Sequence, residues 1–575
     1  MISEKKFNKF YQKFNDTFPN VILSIVDDVV FLDGELETYD EIIDAGFLAS
    51  KLKATGVVNR IALIKYHEPP MKVPPFADKS LEGNSYDVLI IGGGITGTAI
   101  ARELSKYKLN TLLVDKESDV GLHASSRNDG VLHLGIDLKT NTEKFKYLRA
   151  GVSLYPQLCQ ELGVPYNNMG QLITFSKKWM RHFMFLLSHK AKSRGLNGME
   201  IWDKQRLLQE EPNVGENVEF AAFFPEGATI CPYETVIALA ENAIENGVHI
   251  SLDTAVLGMD VADKKITKVM TTRGVIYPRI IINAAGTFAD KIAAMGQDQF
   301  YSIHPRKGIE AILDKKARER SSSRAISMYR GSADRRKDHS KGGGIIPTVD
   351  GNVLIGPTAE ETPDRENFAT DSASIEELFA RHHDTLPKLQ QSDVITYFAG
   401  IRAATYEEDF IVRVGKWTKN IIHVAGIQSP GLTAALGIAL AVSGLVQKLS
   451  EFPLPLNPNF NPIRQVKPSL KKLPIEERHS LITLNPDYGQ IICRCEEISL
   501  GEIKDCLKRP LVVPSLDGIK RRIRPGMGRC QGGFCGPLIT KIIHEEMNLP
   551  YQDINKKGHR PLILKGIKDD TYGNI

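Results

Sequence analysis

Hydrophobic positions change their period several times along the chain, and the changes mark its elements. The run Asp87–Ile91 (DVLII) is nearly all apolar and ends in glycines, as a strand buried on both faces does. Residues 96–104 take helical spacing, with small side chains at Ala99 and Ala101, and LNTLLVD over 109–115 returns to a strand. Strand, helix, strand in this order predicts a parallel sheet with helices packed on it. IIINAAGTFADKIA, from residue 280, reads as a strand, Gly286 and a helix. YFAGIRAATYEEDFIV reads as a strand ending at Gly400. IIHVAGIQSPGLTAALGIALAV reads as a strand ending at Gly426, with a helix beginning near Gly431. Between these pieces, GQLITFSK and GIEAILDK read as strands of an antiparallel sheet.

The ends of the chain are patterned differently. In residues 1–72, VILSIVDDVVFLDGELE predicts two strands turning at Asp27–Asp28. EIIDAGFLASKLKA predicts a helix and GVVNRIALIK a third strand. Two proline-rich stretches, one from His67 and one from Phe452, read as stiff linkers. They divide the chain into units at 1–72, 85–450 and 485–545, with a linker at 451–480 and a tail at 546–575 whose HRPLILKGI folds back as an extended segment. The longest apolar stretch, Gly431–Val446, falls short of the ~20 residues of a membrane span and reads as a buried helix.

Composition narrows the function. With 575 residues, 42% of them apolar and 25% charged, the chain has the make-up of a globular protein of several domains. The formal charge of +4 is uneven, since residues 461–575 hold 20 Lys/Arg against 13 Asp/Glu. That basic end is a solvated surface or a docking face for an acidic redox partner. Nucleic-acid binding has no support, because basic and aromatic residues do not interleave and no binding motif is present. Seven cysteines in this length, and an N-terminus without the apolar core of a signal peptide, point to a cytoplasmic setting. No transmembrane segment is expected, which leaves peripheral membrane association open.

Four of the cysteines form two pairs. Cys493 and Cys495 are a C-x-C in QIICRCEEIS, and Cys530 and Cys535 a C-x4-C in GMGRCQGGFCGP. Two thiolate pairs match a [2Fe–2S] cluster, in which each iron takes two sulfurs. The surrounding glycines let backbone amides approach the sulfurs and stabilise added charge. Zinc is the competing ion, although its knuckles are usually C-x2–4-C. Cys159, Cys231 and Cys506 read as small buried apolar residues. A cluster carries one electron at a time, so the rest of the chain should supply or accept electrons. Gly92, Gly94 and Gly97 form G-x-G-x-x-G between the first strand and its helix, and Asp115 ends the next strand. Gly92 makes the tight turn, Gly94 admits a pyrophosphate, Gly97 lets helix and strand approach, and Asp115 suits ribose hydroxyls.

ICRCEEIS with RPGMGRCQGGFC resembles the ferredoxin-like module related to bacterioferritin-associated ferredoxin. GLHASSRNDGVLHLGID, from Gly121, resembles the flavin-wrapping loop of the glycine-oxidase-like flavoprotein superfamily. RNDGVLHLG is especially similar to the anaerobic glycerol-3-phosphate dehydrogenase large subunit and to L-2-hydroxyglutarate dehydrogenases. The N-terminal unit resembles a small BON-like α+β domain. These resemblances imply an α/β chain: a Rossmann-type FAD-binding domain with an α+β substrate cap, flanked by the two small domains. FAD-binding segments are expected at 85–137, 232–295, 341–360 and 395–450, and the cap at 140–230, 296–340 and 361–394. FAD would be held by Gly92, Gly94, Gly97, Asp115, Ser126, Asn128, Gly286 and Gly400, and by Gly431, Leu432 and Thr433 at a helix start. Relatives more often carry Glu at Asp115, and either acid can bind the ribose.

His133 matches an active-site histidine of the resembled dehydrogenases, as base for a hydroxyl proton; otherwise it only hydrogen-bonds its loop. Arg402 would bind a carboxylate or phosphate, or pair with Glu407, Glu408 or Asp409. Relatives often have proline after this arginine, where this chain has Ala403. Arg306 and Lys307 are further substrate candidates. The basic RGSADRRKDHSKGGG, from Arg330, reads as a solvated loop or a lid. The expected activity is oxidation of a small anionic secondary alcohol, sn-glycerol 3-phosphate first. Electrons would leave through the [2Fe–2S] cluster to a protein or quinone-linked acceptor. L-2-hydroxyglutarate or another 2-hydroxy acid, an amino acid or opine, and a redox-sensing role are the alternatives.

Overall fold

The computed structural model describes residues 4–329, 343–467, 469–559 and 563–564. The basic stretch from Arg330 lies outside them except for Gly343 and Gly344, as does most of HRPLILKGI. The central sheet runs five parallel strands in the order His249–Ser251, Thr111–Val114, Ser85–Ile91, Gly274–Asn283, Ile421–Ala425. Their side chains are almost wholly buried along 88–91, 111–114 and 421–425, as a doubly covered parallel sheet requires. Helix Ile95–Leu104 packs between helix Pro232–Glu245 and helix Gly431–Leu449. The last of these is long and apolar enough to cross a membrane. Here it is a core helix, with Ala434, Ala435, Ile438, Val442 and Val446 buried.

The second large sheet forms the cap. Its path runs Glu200–Asp203, Phe220–Phe224, Gln171–Phe175, Ala325–Met328, Gly344–Pro347, Val353–Gly356, His304–Leu313, with Val394–Ala404 paired along His304–Leu313. Three strands expected in FAD-binding segments (344–347, 353–356 and 394–404) therefore belong to the cap. The hairpin of 344–347 and 353–356 joins the cap through Ala325–Met328 and His304–Leu313, and 394–404 lies along His304–Leu313 from much earlier in the chain, pairings of which a local pattern carries no record. The strand expected to end at Gly400 also runs on to Ala404.

The N-terminal hairpin joins Val21–Val26 to Val29–Leu36. Asp27 and Asp28 both take positive φ (49° and 63°), the two-residue turn that fits strand twist. Helix Tyr39–Ser50 starts in a capping box of Thr38 and Glu41. Strand Gly56–Asn59 then pairs parallel to the hairpin. The unit docks on the large domain, where Gly46 lies against the Tyr406 ring and Gly56 against the Phe300 carbonyl.

The C-terminal unit comprises a short hairpin (Ile491–Cys493, Ile498–Ser499) and helices Leu500–Cys506, Leu516–Ile523 and Cys535–Met547. It is pinned to the large domain by Asp119, whose buried carboxylate takes Arg521 at 2.6 Å and Arg522 at 2.8 and 3.0 Å. Arg524 reaches Asp350 at 2.5 Å and Tyr233 at 2.7 Å. The proline-rich 451–480 segment is a strap fixed along the domain. Lys108 N donates to Pro455 O, Asn457 N to Lys106 O, and Arg464 pairs with buried Glu241 at 2.7 Å. The tail runs back as far as His559, which meets Asp253 at 2.7 Å.

Candidate functional site

The strand–helix turn at Gly92 opens one of two neighbouring cavities. A Cβ at Gly97 would sit 1.9 Å from the Gly92 carbonyl oxygen, so the helix can approach the turn only as glycine. Gly97 serves packing, while Gly92, Gly94, Asp115 and, opposite, Gly286 and Thr287 line the cavity. Asp115 accepts from Gly93 N at 2.6 Å and Glu117 N at 2.8 Å. Burial pushes its carboxyl up, and those amides oppose the shift. Helix Ile95–Leu104 begins at Gly94 without a side-chain cap, which leaves amides and a positive dipole end for a phosphate.

The larger cavity, about 700 Å³, lies between the loop 124–137, the cap sheet and the start of helix Gly431–Leu449. Ile95, Ala124, Ser125 and Ile427 line both cavities, so a long cofactor can pass from one to the other. Ser125 lines both cavities and accepts from Ile95 N at 2.9 Å, whereas the expected Ser126 lines neither. The Ser126 hydroxyl is buried against the Gly121 turn. Asn128 stiffens the loop, donating to Ala124 O and Ser125 O at 3.0 Å each and accepting from Gly130 N at 3.1 Å. At Gly400 a Cβ would lie 2.3 Å from the Arg127 carbonyl oxygen, so loop and cap strand meet only through glycine. Helix Gly431–Leu449 also begins without a side-chain cap. Gly431 and Leu432 line the cavity. Thr433 lies behind the wall, where its hydroxyl accepts from His133 N at 2.9 Å. His133 lines the cavity, with Nε2 3.2 Å from Ser429 Oγ.

The cap strands set the charges. Arg306 stands opposite Arg402, and Gly308 opposite Gly400, in the antiparallel pairing. Opposed residues share a face, so both arginines face the cavity. Lys307, one position along, turns to the other face and meets Glu360 at 3.6 Å and Asp371 at 4.0 Å. It lines neither cavity, contrary to the expectation, because side chains alternate along a strand. Arg306 is neutralised: Glu361 takes Nε at 2.5 Å, Glu408 takes Nη2 at 2.6 Å, and Gln428 Oε1 lies 3.3 Å from Nη1. Burial pushes the Glu408 carboxyl up, but Arg306 and Lys144 outweigh it and hold it at about 2.

Arg402 differs. Its Nη2 donates to Thr358 O at 3.2 Å, and its buried Nη1 has no partner among the described residues. None of Glu407, Glu408 and Asp409 forms an ion pair with it. Burial lowers the guanidinium pKa, with Glu310 opposing. Glu310 and Asp129 share the cavity wall with it, and burial, then Asp129, raises Glu310 well above the carboxylate range. Sequence reasoning missed Glu310, Asp129, Lys144 and Gln428, and named Glu408 only as a partner for Arg402, whereas it pairs with Arg306. Glu310 alone left a trace, as an acid inside the apolar alternation GIEAIL.

In the C-terminal unit, Cys495 and Cys530 bring their sulfurs to 4.0 Å, and Cys493 is hydrogen-bonded to Cys535, which lowers its thiol pKa. The Phe534 amide, then those of Gly532 and Gly533, hold the Cys530 thiol down. Gly528 packs directly on Cys495. Four thiols in two facing pairs, with amides aimed at sulfur, fit a [2Fe–2S] cluster.

Comparison with known proteins agrees with these two centres. Residues 87–445 match the family described as "FAD dependent oxidoreductase", and residues 491–545 match "BFD-like [2Fe-2S] binding domain". A glycerol 3-phosphate dehydrogenase of Caloramator mitchellensis is 35% identical over 481 residues, covering 84% of this chain and 98% of the relative. Human mitochondrial L-2-hydroxyglutarate dehydrogenase is 24% identical over 433 residues, or 65% of this chain and 91% of that protein. Among solved structures, dithionite-reduced L-α-glycerophosphate oxidase from Mycoplasma pneumoniae with FAD bound superposes with a TM-score of 0.62. It is 28% identical and covers 67% of this chain and 99% of its own.

Proposed function

This chain belongs to the FAD dependent oxidoreductase family, and from that premise we propose that it oxidises sn-glycerol 3-phosphate and passes the electrons on through its own [2Fe–2S] module. FAD supplies a hydride acceptor for the alcohol carbon, and the cluster a one-electron carrier toward a protein or quinone-linked partner. The observation that carries the reading is Arg402: a buried guanidinium in the cavity wall whose Nη1 has no protein partner. An anionic substrate group is the complement of such a donor. Arg306, already neutralised by Glu361 and Glu408, is left to hold the cap face in register beside it.

His133 takes the hydroxyl proton at Nε2, with Ser429 fixing the ring. Asp115 accepts from the ribose. Ser125, Asn128 and the first amides of helix Gly431–Leu449 shape the cofactor space. The N-terminal strand–helix–strand unit is read as a BON-like packing module on its build alone.

A planar guanidinium accepts carboxylate as readily as phosphate, and the similarity to an L-2-hydroxyglutarate dehydrogenase keeps that substrate as the second reading. Anaerobic titration of the cluster-intact protein with each compound decides between them. Bleaching of the flavin band by glycerol 3-phosphate, followed by loss of cluster absorbance, is the expected result. Bleaching by L-2-hydroxyglutarate alone moves the enzyme to the carboxylate branch, and bleaching by neither overturns the proposal.

A further inference from the structure

One part of the cap is built against the usual economy of a globular surface. After strand Gln171–Phe175, residues Lys178–Phe183 form a short 3-10 turn and Met184–Lys192 a helix. Met184 and Ala191, with Leu196 beyond the helix, anchor this segment in the cap core. Four large apolar side chains face the other way. Trp179, Phe183, Phe185 and Leu186 are 59%, 52%, 66% and 55% exposed, and the Trp179 and Phe183 rings lie 5.9 Å apart. A folded domain rarely leaves so many large apolar groups together in water without a use for them.

The charges around them are of one sign. No Asp or Glu occurs between Glu161 and Glu200, while Lys177, Lys178, Arg181, Lys190, Lys192 and Arg194 fall within the segment, with His182 and His189. All but Arg194 are exposed. Aromatic and aliphatic groups collared by cations are the composition of a helix that lies in the plane of a membrane interface. Lysine and arginine stems are long enough to reach lipid phosphates while the apolar groups enter the acyl boundary.

We propose that the 177–192 segment docks this enzyme on an anionic phospholipid bilayer. Charge complementarity selects the anionic surface, and the projecting aromatic side chains select lipid over a purely ionic partner. The segment is far too short to span a bilayer, so the attachment is peripheral. Trp179, Phe183 and Leu186 also form part of the rim of the 700 Å³ cavity, so docking turns the mouth of the site toward the headgroups. The inference does not depend on which alcohol is oxidised.

The test is flotation of the full-length, cofactor-loaded protein with vesicles, without substrate. One set is an equal mixture of phosphatidylglycerol and phosphatidylcholine, the other phosphatidylcholine alone. The wild type should float with the anionic vesicles and at least tenfold less with the neutral ones. Lys178→Glu/Arg181→Glu should lower partitioning at least 25-fold, from about fivefold for each cation lost. Phe185→Ser should lower it about tenfold. None of these three residues lines the cavity, and circular dichroism with FAD content checks that the variants are folded. Failure of the wild type to float, equal flotation of the variants, or retention by an acidic protein in place of anionic vesicles would each overturn the proposal.

Discussion

Replacing Glu407 by glutamine isolates the electrostatics of the joint between the N-terminal unit and the large domain. The Glu407 carboxyl is buried, with Oε1 accepting from Val57 N at 2.9 Å and Oε2 unpartnered among the described residues. Burial pushes it up to about 7, against the opposing pull of its own amide and that of Val57. In the unfolded chain a glutamate titrates near ~4.3. Between roughly pH 4.3 and 7 the folded protein therefore holds a proton that the unfolded chain has released, and stability falls as pH rises through that window. The neutral form's contribution is complete below ~4.3 and lost above about 7. At 1.36 kcal/mol per pH unit the loss comes to about 4 kcal/mol. Glutamine keeps the acceptor for Val57 and cannot ionise. Glu407→Gln should match the wild type near pH 4.5 and exceed it by about 4 kcal/mol at pH 8.5. Urea unfolding can be followed by fluorescence, because the Trp417 indole donates to Asp27 across the same joint at 3.0 Å. A variant no more stable than wild type at pH 8.5 would refute the reasoning.

Three other outcomes are expected. Arg402→Lys keeps a positive charge but loses the planar fork, and should raise KM for the anionic substrate about 10- to 100-fold with FAD content unchanged; steady-state kinetics beside the flavin spectrum checks this. His133→Asn should slow substrate-driven flavin bleaching by about 10²- to 10⁴-fold in stopped flow, with substrate affinity little changed. An equal loss in both would make the histidine a loop support. Asp119→Asn leaves Arg521 and Arg522 without their buried counter-charge, costing about 3–5 kcal/mol at the joint. Limited proteolysis should then cut within the 451–470 strap while the FAD domain stays folded.

Local periodicity made part of this architecture legible. Asp87–Ile91 with its glycines, the Asp27–Asp28 turn and the helix start at Gly431 each depend on neighbours within a few residues, and all three stand in the fold. The cap depended on pairing that no local window records. Strand Val394–Ala404 lies beside His304–Leu313, and only that register shows Arg306 and Arg402 sharing a face while Lys307 turns away. Ser125 and Ser126 were indistinguishable in sequence because a 3-10 turn decides which of them lines the two cavities. The proline-rich 451–480 segment looked like a spacer. Buried Glu241 holding Arg464 makes it a fixed strap, and the helix Ile475–Leu484 at its end carried no clear apolar stripe.

The strap and the Asp119 pin together change how the proposed electron exit would scale. A separate ferredoxin would have to find this enzyme by diffusion, and its turnover would fall on dilution. Here the thiol-bearing unit is joined to the oxidoreductase by chain and held by a buried carboxylate two residues before Gly121, at the entry to the cofactor loop. Its effective concentration is set by that geometry. On the proposed route internal delivery would therefore be a first-order event, indifferent to how much enzyme is present, and only the last handover to an outside acceptor would be bimolecular.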